Sequence, residues 1–372
     1  MNRIQRIIKG MSIFFTVMLV LLLLTLIVLA VYHRIRLPQR REELAAHGLY
    51  QPVSVGDHSL NLVSFGGAED GHRIIALSGN GAGFPLELRE MADELTKENQ
   101  VYYLARPGYD GSDDVKNEMT VEFVVEDYRK ALQNAGVEAP YVLMPHSYAS
   151  LPASYWVSKY PEEIEAMVDL DGVIAFSKEV LTEEQIQEAE EGAKNPGLSI
   201  IRGMVAVGIM DVAMHGFFPK DEDLSEEDQR LSDDLTLMTW GSRAFGSEIR
   251  NALDNITGTW DAMTPNDVPK LYISAENGYH SAEELEAADV LSDYRIRYLT
   301  GEDFDGTEEE RRAKAYELEW EEMLTYKAEK MQPFFERLGN CQVADLPGNH
   351  FIHLDQPQAC AQIILDFLHG LE

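Results

Sequence analysis

Cysteine is scarce in this sequence: among 372 residues there are two, Cys341 and Cys360. Two thiols give no metal-ligand spacing and no disulfide framework. Both fall in segments that read as a core strand and a core helix, so buried thiols are expected, and the redox compartment stays open. Positive charge is scarce too. Lys and Arg number 31 against 64 Asp and Glu, for a formal net charge of −33. Residues 1–41 hold seven basic residues and no acidic one, which leaves 24 basic against 64 acidic in the rest, or −40. A surface that acidic argues against nucleic acid or an anionic lipid surface as partner and reads as a solvated, soluble face. No internal repeats are present.

Charge of either sign is missing from Gly10 to Tyr32, 23 residues dominated by Leu, Val, Ile and Phe. A spanning helix needs about 20 apolar residues. The run is too long for a signal-peptide core, and no A-x-A site follows it. It reads as an uncleaved single-pass anchor. Arg3, Arg6, Lys9 and the amino terminus on one side nearly balance Arg34, Arg36, Arg40 and Arg41 on the other. The reading adopted puts the N-terminus inside and the bulk of the chain outside.

Beyond a short linker, Leu37–Ala46, strands and helices alternate. Residues 52–66 read as an antiparallel hairpin and Ile74–Leu77 as a strand. A helix over Leu86–Thr96, a strand ending near Arg106 and a helix over Thr120–Asn134 follow. Tyr141–Met144 and residues 165–172 read as strands. Residues 174–266 break the rhythm with a helical, partly acidic insertion. Its apolar run from Ser199 to Phe218 contains Arg202, Asp211 and His215, which argues against a second span. Residues 268–278 resume the sheet, 279–335 form a charged helical excursion, and CQVADLPG and Pro357–Leu368 are the last strand and helix. Such alternation means an α/β fold with a parallel sheet. The chain divides into anchor and linker (1–41), a first core part (42–173), a helical cap (174–266) and a second core part (267–372) that includes the excursion.

Tyr141–Trp156, YVLMPHSYASLPASYW, organises the core. An apolar strand passes through Pro145 into small residues and aromatics of helical composition, so Ser147 sits at a strand-to-helix turn. A nucleophile elbow, G-x-S-x-G, occupies such a turn and pushes its serine out at the top of the sheet. Here Pro145 and Ala149 replace the two glycines. Three further pieces lie where an elbow needs them. Ser78-Gly79-Asn80-Gly81-Ala82-Gly83 can bring backbone close to a substrate. Its spacing is neither a dinucleotide nor a P-loop fingerprint. Arg106-Pro107-Gly108-Tyr109-Asp110-Gly111-Ser112 follows the next strand. Gly348-Asn349-His350-Phe351 follows the last strand, and serine before histidine is the matching chain order.

Together these motifs resemble the α/β-hydrolase superfamily over roughly Pro52–Gly172 and Pro269–Leu368. The nearest likeness is to serine hydrolases of the PYVLxGHSxGG type, in which Tyr160–Gly172 matches YPxxVxGLVLIDP. The resemblance implies an α/β-hydrolase fold: a mostly parallel sheet flanked by helices, with a helical cap. It implies ester or amide hydrolysis through an acyl-enzyme, with Ser147 as nucleophile and His350 as general base and acid. The N–H groups of Asn80 and Tyr148 would form the oxyanion hole. The R-P-G-Y loop would be architectural. The triad acid departs from the family pattern, because Gly278 stands where an aspartate is usual. Asp171, ending the sixth strand, is adopted, Glu276 is the alternative, and a site without an acid is the third reading. No metal or organic cofactor is implied, and water is the second substrate. The cap residues Met204, Met210, Met214, Phe217, Phe218, Trp240, Phe245 and Trp260 suggest an apolar pocket for a small-molecule ester or amide. Alternatively they form the cap's own core. The rival functions are a retired hydrolase fold that only binds, and a peptidase of the prolyl-aminopeptidase type.

Overall fold

The computed structural model describes residues 3–371 except 195, 219, 221–223, 276–279 and 302. Eight strands form one sheet: β1 (Pro52–Ser54), β2 (Ser59–Gly67), β3 (Arg73–Leu77), β4 (Gln100–Leu104), β5 (Tyr141–Pro145), β6 (Ile164–Leu170), β7 (Lys270–Ser274) and β8 (Cys341–Asp345). Their spatial order is β1-β2-β4-β3-β5-β6-β7-β8. The β1–β2 and β2–β4 pairs are antiparallel, and every pair from β4 to β8 is parallel. β5 is buried along its whole length, as a continuous apolar strand in the middle of a parallel sheet must be.

Helices cover both faces. On one face, Val124, Tyr128 and Leu132 of the helix Val121–Ala135 pack with Leu151 and Trp156 of the helix Ser150–Lys159. On the other, Met91 and Leu95 of Arg89–Leu95 pack with Ile364 and Leu368 of Pro357–His369. Helix ends follow their chemistry. The Thr120 side chain accepts the Phe123 N–H, and Gly136 closes the same helix with φ 73°. One expected helix is broken: Phe84–Glu87 and Arg89–Leu95 are separate at Leu88. The cap and the excursion are helical as expected. The apolar run in the cap makes two short helices, Gly197–Ala206 and Ile209–Gly216, each too short to span a bilayer.

Two expectations need correction. Leu37–Ala46 is not a linker, because one helix runs unbroken from Arg3 to Ala46 with Pro38 inside it. Its last turns pack on the cap. Arg40 is buried between Asp211 and Asp234, with Nε 2.6 Å from the latter. His33 Nδ1 stands 2.8 Å from Asp211. Leu44 is buried with Leu231 and Leu235. Burial works against the ionised Asp211, but hydrogen bonds from His33 and Arg40 more than offset it and hold its pKa below the usual value. Of the two thiols, Cys360 is buried, but Cys341 is only half-buried because β8 is the sheet's edge.

Candidate active site

The loops after β3, β5, β6 and β8 all leave the carboxyl edge of the sheet, where open α/β sheets bind ligands. Ser147 stands two residues past the end of β5 and has φ 53°. A left-handed backbone is costly for a residue with a Cβ and is a common mark of functional turns. Val173 N–H, beyond β6, donates to the Ser147 carbonyl at 2.9 Å and ties the two strand ends together. A single-turn 3-10 helix, Ser147–Ala149, then leads into Ser150–Lys159. Tyr148 therefore lies in the first turn, where peptide dipoles favour negative charge.

His350 joins two expected partners. Its Nε2 is 2.8 Å from Ser147 Oγ and its Nδ1 is 2.8 Å from Asp171 Oδ2. A carboxylate only accepts, so the Nδ1 proton donates to Asp171 and leaves the Nε2 lone pair for the serine hydroxyl. Asp171 sits one residue past β6 with φ 49°, and its Oδ1 accepts the Ala275 N–H at 2.9 Å, just beyond β7. The alternative acid, Glu276, and Gly278 lie outside the described residues. Asp169, on the same strand, accepts from Ser150 Oγ, and burial pushes its carboxyl well above the usual carboxylate range.

The glycine loop lies against the serine. A Cβ on Gly79 would meet Ser147 Cβ at 2.7 Å, so only glycine fits there. Asn80, next in the loop, is anchored through its side chain, whose Oδ1 accepts from Arg106 at 3.1 Å and from the Tyr109 hydroxyl at 3.3 Å. Arg106 is fully buried and carries more than an architectural loop. It donates to the carbonyls of Ser78 and Gly79, and its Nε and Nη2 reach Glu248 of the cap at 2.7 and 2.8 Å. Asn255, also from the cap, donates to the Tyr148 hydroxyl at 2.7 Å.

Sequence reading missed His146 and Glu248. His146 Nε2 is 3.0 Å from the His350 carbonyl, which can only accept, so it carries the proton. Burial lowers the His146 imidazole to about 3, and the neighbouring His353 and His350 add to that shift. The neutral ring thus holds the main chain of His350. Its position directly before Ser147 is the signal that could have found it. Glu248 had no local signal, although a buried arginine in the R-P-G-Y loop demands a buried acid somewhere.

A groove of about 1550 Å³ opens on His350. The excursion supplies most of its apolar lining, including Leu285, Leu291, Tyr298, Leu299 and Met323, with Val180 from the cap, and charged residues such as Arg295, Glu319, Glu322 and Lys330 line it too. The cap residues expected there lie elsewhere. Met204, Met210, Met214 and Trp240 pack with Val205 and Leu237, Phe218 meets Trp240 at a tilt, and Phe245 meets Tyr109 edge to face. Phe217 is exposed, and Trp260 lies under Arg337.

Residues 73–190 match the family model of the alpha/beta hydrolase fold. The uncharacterized protein YbdG of Bacillus subtilis is 32% identical over 164 residues, 44% of this chain and 49% of that protein. The match thus spans about half of that relative's length. The haloalkane dehalogenase DatA of Agrobacterium tumefaciens is 17% identical with a TM-score of 0.54, over 87% of this chain and 96% of that one. Cfl2 of Burkholderia cenocepacia is 18% identical with a TM-score of 0.54, over 86% and 95%. The haloalkane dehalogenase DbeA of Bradyrhizobium elkani is 13% identical with a TM-score of 0.52, over 86% and 97%. At these identities the solved structures speak for the fold alone. Sheet order, elbow and family match agree that this chain has the α/β-hydrolase fold.

Proposed function

We propose that this protein is a membrane-anchored serine hydrolase that cleaves carboxylic esters of apolar small molecules through an acyl-enzyme. The observation that carries this reading is the pair of 2.8 Å hydrogen bonds made by the two ring nitrogens of His350 to Ser147 and Asp171. Ser147 Oγ attacks the ester carbonyl carbon while His350 Nε2 takes its proton. The N–H groups of Asn80 and Tyr148 receive the negative charge that develops on the carbonyl oxygen. Collapse expels the alcohol, which takes the proton back from His350 and leaves the acyl group on Ser147. Water, deprotonated by the same nitrogen, then attacks the ester, releases the acid and restores the serine. Asp171 stabilises the imidazolium in both halves and fixes its tautomer. The leucines, Tyr298 and Met323 in the groove offer an apolar acyl or alcohol group a surface, among charged side chains.

Gly10–Tyr32 is the proposed anchor. Its 23 residues extend about 35 Å as a helix, enough for a hydrocarbon core of about 30 Å. The helix is long and apolar enough to cross a membrane, and most of its apolar residues are exposed. Facing the catalytic part outside is the orientation adopted from the sequence, where the positive charge on the two sides of the run is nearly balanced.

A fluorophosphonate probe, which reacts with activated serines without knowledge of the substrate, tests the chemistry. Labelling should vanish in Ser147→Ala and in His350→Ala. Labelling that persists in Ser147→Ala would put the nucleophile elsewhere. A wild-type chain that resists the probe would favour the binding-only reading.

A further inference from the structure

The two short cap helices Gly197–Ala206 and Ile209–Gly216 form a hairpin whose turn touches the anchor helix. Gly208 stands at the turn with φ 73°, and a Cβ there would run into the Leu29 carbonyl. This backbone approach needs glycine for both reasons. Leu29 belongs to the uncharged run, five residues before Arg34. At 1.5 Å per residue the turn therefore lies about 7 Å deeper than the first charge that follows the run. Helices in a bilayer interface sit about 5–10 Å into the headgroup and acyl boundary.

The turn is chemically suited to that depth. Gly203–Met210, GMVAVGIM, holds no charge. Ala206 is exposed, while Val207 and Ile209 are half-buried. Ile200 and Val212, on the two helices, are exposed by 58% and 50%. The wider segment reverses the charge of the whole chain. From Gly192 to Lys220 there is one acid, Asp211, against Lys194, Arg202 and Lys220. That acid is buried and paired with Arg40 and His33 of the anchor helix itself. The strong negative charge that argues against lipid contact elsewhere is thus removed from this one surface.

We infer that the cap hairpin, turn first, is seated in the headgroup and acyl boundary of the bilayer that the anchor crosses. The inference rests on the anchor reading and adds a second, independent lipid contact to it. The hairpin is continuous with the spanning helix through Gly208 and Leu29, and its occupant is the lipid of the same leaflet.

The test uses the full chain reconstituted in phosphatidylcholine vesicles, with and without lipid brominated on acyl carbons near the headgroup. Tryptophan is introduced by Ala206→Trp, by Val207→Trp and, as a reference on the excursion, by Glu321→Trp. Each variant is first checked for a wild-type melting temperature, and the second hairpin position covers the case in which one side chain is not accepted. The emission added at 206 or 207 should be lost in brominated vesicles, while that added at 321 should be unchanged. If the chain floats with vesicles but neither hairpin tryptophan is quenched, the hairpin is in water and the inference falls, with the anchor intact. If the chain does not float at all, the anchor reading falls and takes the inference with it.

Discussion

Asp171 is held from two sides, its Oδ2 taking the His350 ring and its Oδ1 the Ala275 N–H. In Asp171→Asn the amide would still fit the turn but would present an NH₂ group to Nδ1. His350 would then carry its proton on Nε2 and could not accept from Ser147. Turnover of a p-nitrophenyl ester should fall by about 10⁴ with the melting temperature little changed. Near-full turnover in Asp171→Asn together with its loss in Glu276→Gln would move the acid to the segment after β7. A second residue-scale expectation concerns His353, wholly buried with its ring 4.5 Å from that of His146. Burial lowers its pKa from 6.5 to about 4. The unfolded chain therefore takes up this proton before the folded chain does, and stability is lost as pH falls from about 6.5 toward 4. At pH 5 the loss from this one group is about 2 kcal/mol. His353→Asn should accordingly show a smaller fall in melting temperature between pH 7 and pH 5 than the wild type. An equal or larger fall would show that the imidazole is not held neutral. Ser147, His350 and Asp171 were legible because each sits at a strand end marked by turn residues. Burial and hydrogen-bond roles inside the site leave no such mark, so His146, Glu248 and the neutral state of His353 were not.

At the scale of elements, the helix Arg3–Ala46 shows where pattern reading stops. Its last four turns present His33, Leu37, Arg40 and Leu44 on one face at spacings of three and four residues, the period of a docked helix. Two of the four are cationic or titratable, so the stripe does not look apolar and the segment reads as a charged linker. The cap supplies what makes those charges buriable, Asp211 and Asp234, from about 170 and 190 residues away in sequence. Arg40→Ala would remove the cation that both buried carboxylates share, leaving Asp211 with His33 and Asp234 with Arg36 at 3.9 Å. That should cost about 3–5 kcal/mol, read as a fall in unfolding free energy in urea. A change under about 1 kcal/mol would mean that the two acids find solvent instead. The same limit explains the groove. Both the cap and the excursion carry apolar residues at helical spacing, and periodicity identifies each as amphipathic without saying which faces His350. The central strands β3 and β5, by contrast, were legible to within a residue, because a buried parallel strand must be short, apolar and bounded by turn residues, while 268–278 and 341–348 narrow to Lys270–Ser274 and Cys341–Asp345.

The whole molecule joins a strongly acidic body to a basic, apolar stem, and the boundary between them is not where composition changes. Charge begins at Arg34 beyond the apolar run, but packing on the cap begins within it, at Leu29, and continues through Leu44. Two truncations separate these boundaries. A chain beginning at His33 loses the spanning run and keeps His33, Arg40 and Leu44 on the cap. It should leave the carbonate-resistant membrane fraction, fold, and react with the fluorophosphonate probe as the full chain does. A chain beginning at His47 differs by only fourteen residues more, none of them in the described site. It exposes Leu231 and Leu235, which pack on Leu44, and strips the cation from Asp211 and Asp234. Its cap should loosen, and the effect should reach the oxyanion loop, because Glu248 of the cap holds Arg106 and Arg106 holds the carbonyls of Ser78 and Gly79. The expected outcome is a clearly lower melting temperature and weaker probe labelling than in the chain beginning at His33. Equal stability and equal labelling in the two truncated chains would mean that residues 33–46 are a tether after all, and that the cap holds the oxyanion loop without them.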